Sequence, residues 1–150
     1  MREFWSASAN AFLRFVDLPG DDVPILFVHG HGCAGSFDYP EVAAQPGLAQ
    51  HRRILVDLIG AGYSDRPAEF GYTVDDHAGV LQELVEWLDL DALIIFGHSA
   101  GGAIALELAR RVGRRLRGLV LSEANLDPSP PDAGSYRVAS QSEEQFVGRG

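Results

Sequence analysis

The chain has 150 residues, 46% of them hydrophobic and 22% charged, which suits one folded domain with a buried core. Its formal net charge of −9 repels phosphate backbones, so we expect no nucleic-acid partner. All 12 basic residues are arginines, which excludes a lysine nucleophile and a lysine Schiff base. The single cysteine, Cys33, excludes an internal disulfide and a cysteine-rich zinc site.

The N-terminus reads Met1-Arg2-Glu3-Phe4-Trp5 and lacks the apolar run of a secretory signal peptide. No stretch reaches the ~18–20 apolar residues that cross a bilayer. We therefore expect a cytoplasmic protein without a membrane span. Neither a metal nor a cofactor is predicted, and the oligomeric state is left open.

Two apolar runs near the N-terminus flank a turn. Residues 11–17 are followed by the turn sequence Pro19-Gly20-Asp21-Asp22, and the second run covers residues 24–29. This pair predicts a hairpin that enters a sheet. Three later runs are further strand candidates: residues 52–58, 91–96 and 118–122. Their apolar residues are consecutive rather than alternating with polar ones, as in parallel strands covered on both faces.

Two helices are predicted between these strands. Thr73 is a candidate N-cap, and apolar residues follow it at helical spacing as far as Leu88. The second helix runs from about residue 100 to Val112 and ends at Gly113. The alternation predicts an α/β fold with a doubly wound, mostly parallel sheet. Five arginines around the end of the second helix indicate a solvated helix end or, alternatively, a site for an anionic partner: Arg110, Arg111, Arg114, Arg115 and Arg117.

The segment Gly97-His98-Ser99-Ala100-Gly101 has the pattern G-x-S-x-G between a predicted strand and a predicted helix. A serine in this context occupies a sharp turn with a strained backbone, and the small residues two positions away avoid clashes. Its hydroxyl projects beside the free N–H groups of the following helix, which attract an oxyanion. Ser99 is therefore the candidate nucleophile.

Two more segments accompany this motif: His29-Gly30-His31-Gly32 after the second run, and Asp57 to Pro67 after the third. Together the three segments resemble the α/β-hydrolase superfamily over residues 10–125. The resemblance implies that backbone N–H groups of His31, with Gly32 next to it, and of Ala100 form an oxyanion hole. It also implies that Asp57–Pro67 is a structural loop near the pocket mouth.

The resemblance also implies that the fold is incomplete at its C-terminal side. Residues 1–126 would be the N-terminal part of the core, and residues 127–150 would begin a lid. Without the later strands of such a fold, an exposed sheet edge and an uncovered apolar strand would be left after the last predicted strand. Glu123 is a possible triad acid, because haloalkane dehalogenases of similar fold carry their acid after this strand; alternatively it is a loop carboxylate.

A serine hydroxyl needs a base, and the family order is nucleophile, acid and then histidine. None of the five histidines follows Ser99. His29 is expected to brace its loop by hydrogen bonds, and His31 is a candidate pocket residue. The other three are not expected to act as the base: His98, whose side chain should point away from the hydroxyl, and His51 and His77, which are predicted at the surface.

These features predict a serine hydrolase that cleaves an ester, thioester or related acyl bond of a small molecule through an acyl-Ser99 intermediate. The haloalkane dehalogenases use an aspartate nucleophile, so Ser99 argues against dehalogenation and epoxide opening. An alternative is a catalytically incomplete fragment or a non-catalytic binding protein. A less favoured alternative is an NAD-dependent dehydrogenase, because Gly30 to Gly35 also matches G-x-G-x-x-G and Asp57 follows at a suitable distance.

Overall fold

The computed structural model of this protein describes residues 1–127, 130–133, 136–137, 140–142, 145 and 148. Its strands are β1 (Arg2–Ser6), β2 (Ala11–Leu18), β3 (Asp22–Val28), β4 (His51–Asp57), β5 (Leu93–His98) and β6 (Leu116–Ser122). Its helices are α1 (Gly35–Asp38), α2 (Pro40–Ala43), α3 (Val74–Trp87) and α4 (Ala100–Val112), with short 3-10 helices at Pro46–Leu48 and Gly113–Arg115. Much of the predicted lid segment 127–150 lies outside the described residues.

The strands form a six-stranded sheet in the order β1-β2-β4-β3-β5-β6. The β1–β2 and β2–β4 pairs are antiparallel, whereas β4, β3, β5 and β6 run parallel. Helices α3 and α4 cover one face, where they pack on residues of the four central strands. Tyr39 and Ala43 from the α1–α2 segment pack on the other face, against Phe27 and Leu55. The doubly wound, mostly parallel sheet predicted from the sequence is confirmed.

The predicted hairpin between residues 11–17 and 24–29 is wrong, because β4 lies between β2 and β3. The turn instead carries the chain across the beginning of β4. A Cβ on Gly20 would lie 2.2 Å from the carbonyl carbon of His51, and the Asp22 N–H donates to the Gln50 carbonyl at 2.9 Å. Crossing over in this way places the apolar strand β3 between two parallel neighbours, where both of its faces are covered.

The two predicted helices are confirmed, together with the signals that start and stop them. Thr73 is the N-cap of α3 and forms a capping box with Asp76, in which each side chain accepts the other's backbone N–H. Gly113 ends α4 with a φ of 54°, a conformation that favours glycine. In the last turn, Arg110 and Arg111 donate hydrogen bonds to the Glu107 carboxylate. The hydrogen bond from Arg110 is the main reason that the pKa of Glu107 falls to about 2.

Strand β6 forms one edge of the sheet, with Val120 50% and Leu121 37% exposed. An exposed apolar edge at this position agrees with the expectation from the sequence. Among the described residues, no helix has both the length and the apolarity that a membrane crossing requires.

Candidate active site

Ser99 stands at the junction between β5 and α4. Its φ of 53° and ψ of −125° lie in a region that non-glycine residues rarely adopt. Its N–H donates to the Ser122 carbonyl at 3.0 Å, and its carbonyl accepts from the N–H groups of Gly102 at 2.9 Å and Asn125 at 3.0 Å. Three hydrogen bonds to the end of β6, the loop that follows it and the first turn of α4 therefore hold the strained serine in place.

The glycines of the motif are explained by close backbone approaches. A Cβ on Gly97 would lie 2.5 Å from the Ala105 Cβ, and a Cβ on Gly101 would lie 2.2 Å from the His29 carbonyl oxygen. A Cβ on Gly30 would lie 3.0 Å from the Ser99 Cβ. The turn after β3 thus passes directly beside Ser99 and the first turn of α4, as the predicted oxyanion hole requires.

His31 and Gly32 form the turn after β3, with Gly32 at a φ of 74°. Ala100 is the first residue of α4. The backbone N–H groups of these three residues donate to no acceptor within the described part of the chain. The structure brings all three predicted oxyanion residues to the wall of one cavity.

His29 connects this turn to the end of β4. Its Nε2 accepts the Leu58 N–H at 3.0 Å, so the ring proton lies on Nδ1, which donates to the Gly30 carbonyl at 2.8 Å. Burial lowers the pKa of His29, which favours the neutral ring that this arrangement requires. The predicted bracing role is confirmed.

Asp57 is fully buried at the end of β4. Its carboxylate accepts the Ser36 N–H and hydroxyl, both at 2.8 Å, and the Tyr63 N–H at 2.9 Å. A Cβ on Gly62 would lie 2.2 Å from its Oδ2. Residues from Asp57 onward therefore form a structural loop, as predicted, and several of them line the cavity.

The same contacts argue against the dehydrogenase alternative. A dinucleotide site needs a long helix after the glycine motif and an acidic residue that reaches the ribose. Here Gly35 begins α1, which has only four residues, as has the α2 helix that follows it. The Asp57 carboxylate is buried against Ser36 and Tyr63.

A cavity of about 580 Å³ lies along the carboxyl ends of β3 and β4. Gly30 and Ala100, the neighbours of Ser99, line it, whereas Ser99 itself is not part of its wall. Much of the wall is apolar and comes from four side chains: Leu58, Ile59, Val74 and Ile104. The candidate nucleophile Ser99 therefore adjoins, through Gly30 and Ala100, a space large enough for a small organic molecule.

His77 was predicted at the surface, and this prediction is wrong. It lies on α3 at 9% exposure, lines the cavity and packs edge-on against Phe70, with ring centres 5.2 Å apart. Among the described residues its Nδ1 is buried without a hydrogen-bond partner, and burial lowers its pKa. The sequence did contain a signal, since His77 precedes Val80 and Leu81 by three and four residues, the spacing of one helix face.

His51 differs in degree from its predicted surface position. His51 is half-buried, and its Nδ1 lies 2.7 Å from the Val23 carbonyl oxygen. Cys33 is half-buried and lines the cavity. Burial and the neighbouring Asp38 raise the pKa of the Cys33 thiol, so little of the reactive thiolate is present near neutral pH.

Glu123 follows β6 directly, at a φ of 47°. Its carboxylate is 89% exposed and lies 3.8 Å from the His98 Nε2. The structure thus brings Glu123 to His98, and the role of Glu123 as triad acid stays a prediction. Among the described residues, no group of three or more His, Cys, Asp and Glu side chains is arranged to hold a metal ion.

Comparison with known proteins gives relatives of the same architecture. A family described as "alpha/beta hydrolase fold" matches residues 23–146. Haloalkane dehalogenase 2 of Mycobacterium tuberculosis is 36% identical over 117 residues, covering 78% of this chain and 40% of that protein. The 2-hydroxymuconate semialdehyde hydrolase of Pseudomonas sp. strain CF600 is 39% identical over 107 residues, covering 68% and 36%.

Among solved structures, a thermophilic esterase from Thermogutta terrifontis superposes with a TM-score of 0.71 at 30% identity, covering 85% of this chain and 46% of the esterase. The chain thus spans 40% or less of the length of the two relatives matched by sequence. The family match covers most of the chain, and the strand order and the turn at Ser99 are consistent with it. The chain belongs to the α/β-hydrolase family.

Proposed function

We propose that this protein is a serine hydrolase that cleaves an ester, thioester or related acyl bond of a small molecule. The observation that carries the proposal is the strained backbone of Ser99 beside the turn after β3. The Ser99 Oγ attacks the acyl carbon, its proton passes to a base, and an acyl-Ser99 ester forms as the leaving group departs with a proton. Water then releases the acid and restores the hydroxyl.

The negative charge that develops on the acyl oxygen is stabilised by backbone N–H groups. We assign this role to Ala100 and His31, with Gly32 beside them, because their N–H groups make no other hydrogen bond among the described residues. Each such donor contributes on the order of 10²–10³ in rate. The N-terminal end of α4 adds positive potential at the same place.

One further point favours acyl transfer over dehalogenation. Ser99 occupies the position at which haloalkane dehalogenases carry an aspartate, and a hydroxyl cannot displace halide in that way without prior deprotonation. Glu123 is the candidate acid of the triad. In this proposal residues 1–126 form the N-terminal part of the core, and residues 127–150 begin a lid. None of the five histidines is assigned the role of base.

Labelling with a fluorophosphonate tests the nucleophile. The probe should modify Ser99 covalently, and Ser99→Ala should abolish labelling. Ser8→Ala should leave labelling unchanged, because Ser8 is an exposed serine just after β1, and three strands separate β1 from β5 in the sheet. Peptide mapping locates the modified residue. Equal labelling of the Ser99→Ala protein would remove Ser99 from the role of nucleophile.

A second candidate is a binding protein that hydrolyses nothing. Hydrolysis of p-nitrophenyl acetate that disappears in Ser99→Ala would refute this candidate, whereas ligand binding without turnover and without labelling would support it.

A further inference from the structure

The charge around the cavity differs from that of the whole chain. The protein carries a formal net charge of −9, yet no Asp or Glu is among the described residues that line the cavity. Arg66 is the one arginine among them. The cavity therefore presents a local positive charge inside a negatively charged protein, which selects for an anion at short range.

Arg66 is held in place without losing its charge. Its Nη2 donates to the Gly62 carbonyl at 2.8 Å and its Nη1 to the Ser64 carbonyl at 3.0 Å. Both acceptors belong to the loop that Asp57 anchors through the Tyr63 N–H. A guanidinium has five N–H donors, so most of them remain available to a ligand.

No carboxylate neutralises Arg66 within the described part of the chain, where it forms no ion pair. Its neighbour Asp65 is engaged elsewhere: it accepts the Phe12 N–H at 2.8 Å and lies 3.8 Å from Arg14. In contrast, Arg2, Arg14, Arg52, Arg110 and Arg111 all pair with Asp or Glu.

We propose that the substrate carries a carboxylate remote from its scissile acyl group, and that Arg66 binds this carboxylate while the acyl carbon lies at Ser99. A single guanidinium matches a group of one negative charge, and its planar fork matches a carboxylate. Ala100 and Arg66 line the same cavity, and its apolar side chains, Leu58, Ile59, Val74 and Ile104, suit the carbon chain that joins the two groups. The inference rests on the proposed acyl chemistry at Ser99 and adds the substrate class.

Binding to the Ser99→Ala protein tests this inference separately from catalysis, because the ligands are not consumed. The probes are the monomethyl esters of succinic, glutaric, adipic and suberic acids, each paired with the neutral ligand in which a primary amide replaces the carboxylate. Members of a pair have nearly the same shape and differ in charge. Dissociation constants are measured by NMR titration at about 0.02 M and about 0.5 M NaCl.

At least one half-ester should bind about fivefold more tightly than its amide at low salt, and the preference should shrink at high salt. Arg66→Gln should abolish the preference and leave amide binding unchanged. Arg117→Gln is the matched control, since Arg117 is exposed, also donates to backbone carbonyls, and loses the same unit charge without lining the cavity. It should retain the preference.

Four outcomes would overturn the inference: no binding of any half-ester, equal binding of every pair, equal weakening of both members by Arg66→Gln, or loss of the preference in Arg117→Gln. Equal weakening would make Arg66 a support of its loop. Loss of the half-ester preference in Arg117→Gln would assign that preference to the electrostatic field of the whole protein rather than to Arg66. All four are independent of fluorophosphonate labelling at Ser99, so failure here leaves the proposed function standing.

Discussion

The buried histidines show how single residues link pH to the geometry of the site. His29 is almost fully buried, and its Nε2 must remain unprotonated to accept the Leu58 N–H. His77 is buried among aromatic rings. Protonation of either ring places a charge where water cannot solvate it, and at His29 it also replaces a hydrogen bond by two facing donors.

We therefore expect the free energy of unfolding to fall as the pH is lowered from about 7.5 to about 5.5. Both histidines have a lowered pKa in the folded state. The unfolded chain therefore binds more protons than the folded chain once the pH falls below about 6.5, the ordinary pKa of histidine. The loss is about 1.4 kcal/mol for each unit of pKa difference. Urea denaturation at several pH values measures it.

His77→Phe serves as the control for this pH dependence. It removes one titrating ring and the buried Nδ1 that lacks a partner, so the variant should be less sensitive to pH than the unaltered protein. Stability that does not change between these pH values would contradict the assignment of both rings as neutral and buried.

At the scale of elements, the sequence predicted most strands and helices because the signals are local. Thr73 with Asp76 starts α3, Gly113 ends α4, and apolar runs mark the parallel strands. It did not predict the order of β2, β4 and β3, since that order depends on contacts between segments about 30 to 40 residues apart. Strand β1 was also not predicted; it pairs only with β2 at the sheet edge.

Close packing between α4 and the turn after β3 leads to a prediction with an internal control. Gly101→Ala should lower the free energy of unfolding by about 1–3 kcal/mol, because the new Cβ would lie 2.2 Å from the His29 carbonyl oxygen. Gly79→Ala in α3 should raise it by up to about 1 kcal/mol, because alanine favours helix and its Cβ meets only Arg111 Nη1 at 3.6 Å.

Urea denaturation of the two variants provides the comparison. If Gly101→Ala were as stable as Gly79→Ala, the backbones of α4 and β3 would not approach as closely as described. A loss of Ser99 labelling in Gly101→Ala alone would connect this packing to the site.

At the scale of the whole molecule, Asp57 joins parts of the chain that are distant in sequence. It binds Ser36 at the start of α1 and Tyr63 in the cavity loop, and it ends the central strand β4. The motif segments after β3, β4 and β5 thereby meet at one edge of the sheet, where parallel strands present their carboxyl ends.

Asp57→Asn should lower the free energy of unfolding by about 1.5–3 kcal/mol, because an amide NH₂ would face donors that now meet a carboxylate oxygen. Asp65→Asn, which alters a half-buried side chain with a single backbone donor at Phe12, should cost less than about 1 kcal/mol. Thermal or urea unfolding measures the difference. Similar losses in the two variants would contradict the role of Asp57 as the main anchor of these loops.

The sequence by itself determined the fold class and the candidate nucleophile. Both depend on local constraints: helix and strand periodicity, and a turn at Ser99 that admits only small residues at Gly97 and Gly101. Only the tertiary structure decided the strand order, the burial of His77 and the absence of Asp and Glu among the described residues that line the cavity. These properties arise from contacts between remote segments, and the burial and charge around a side chain depend on every element that packs near it.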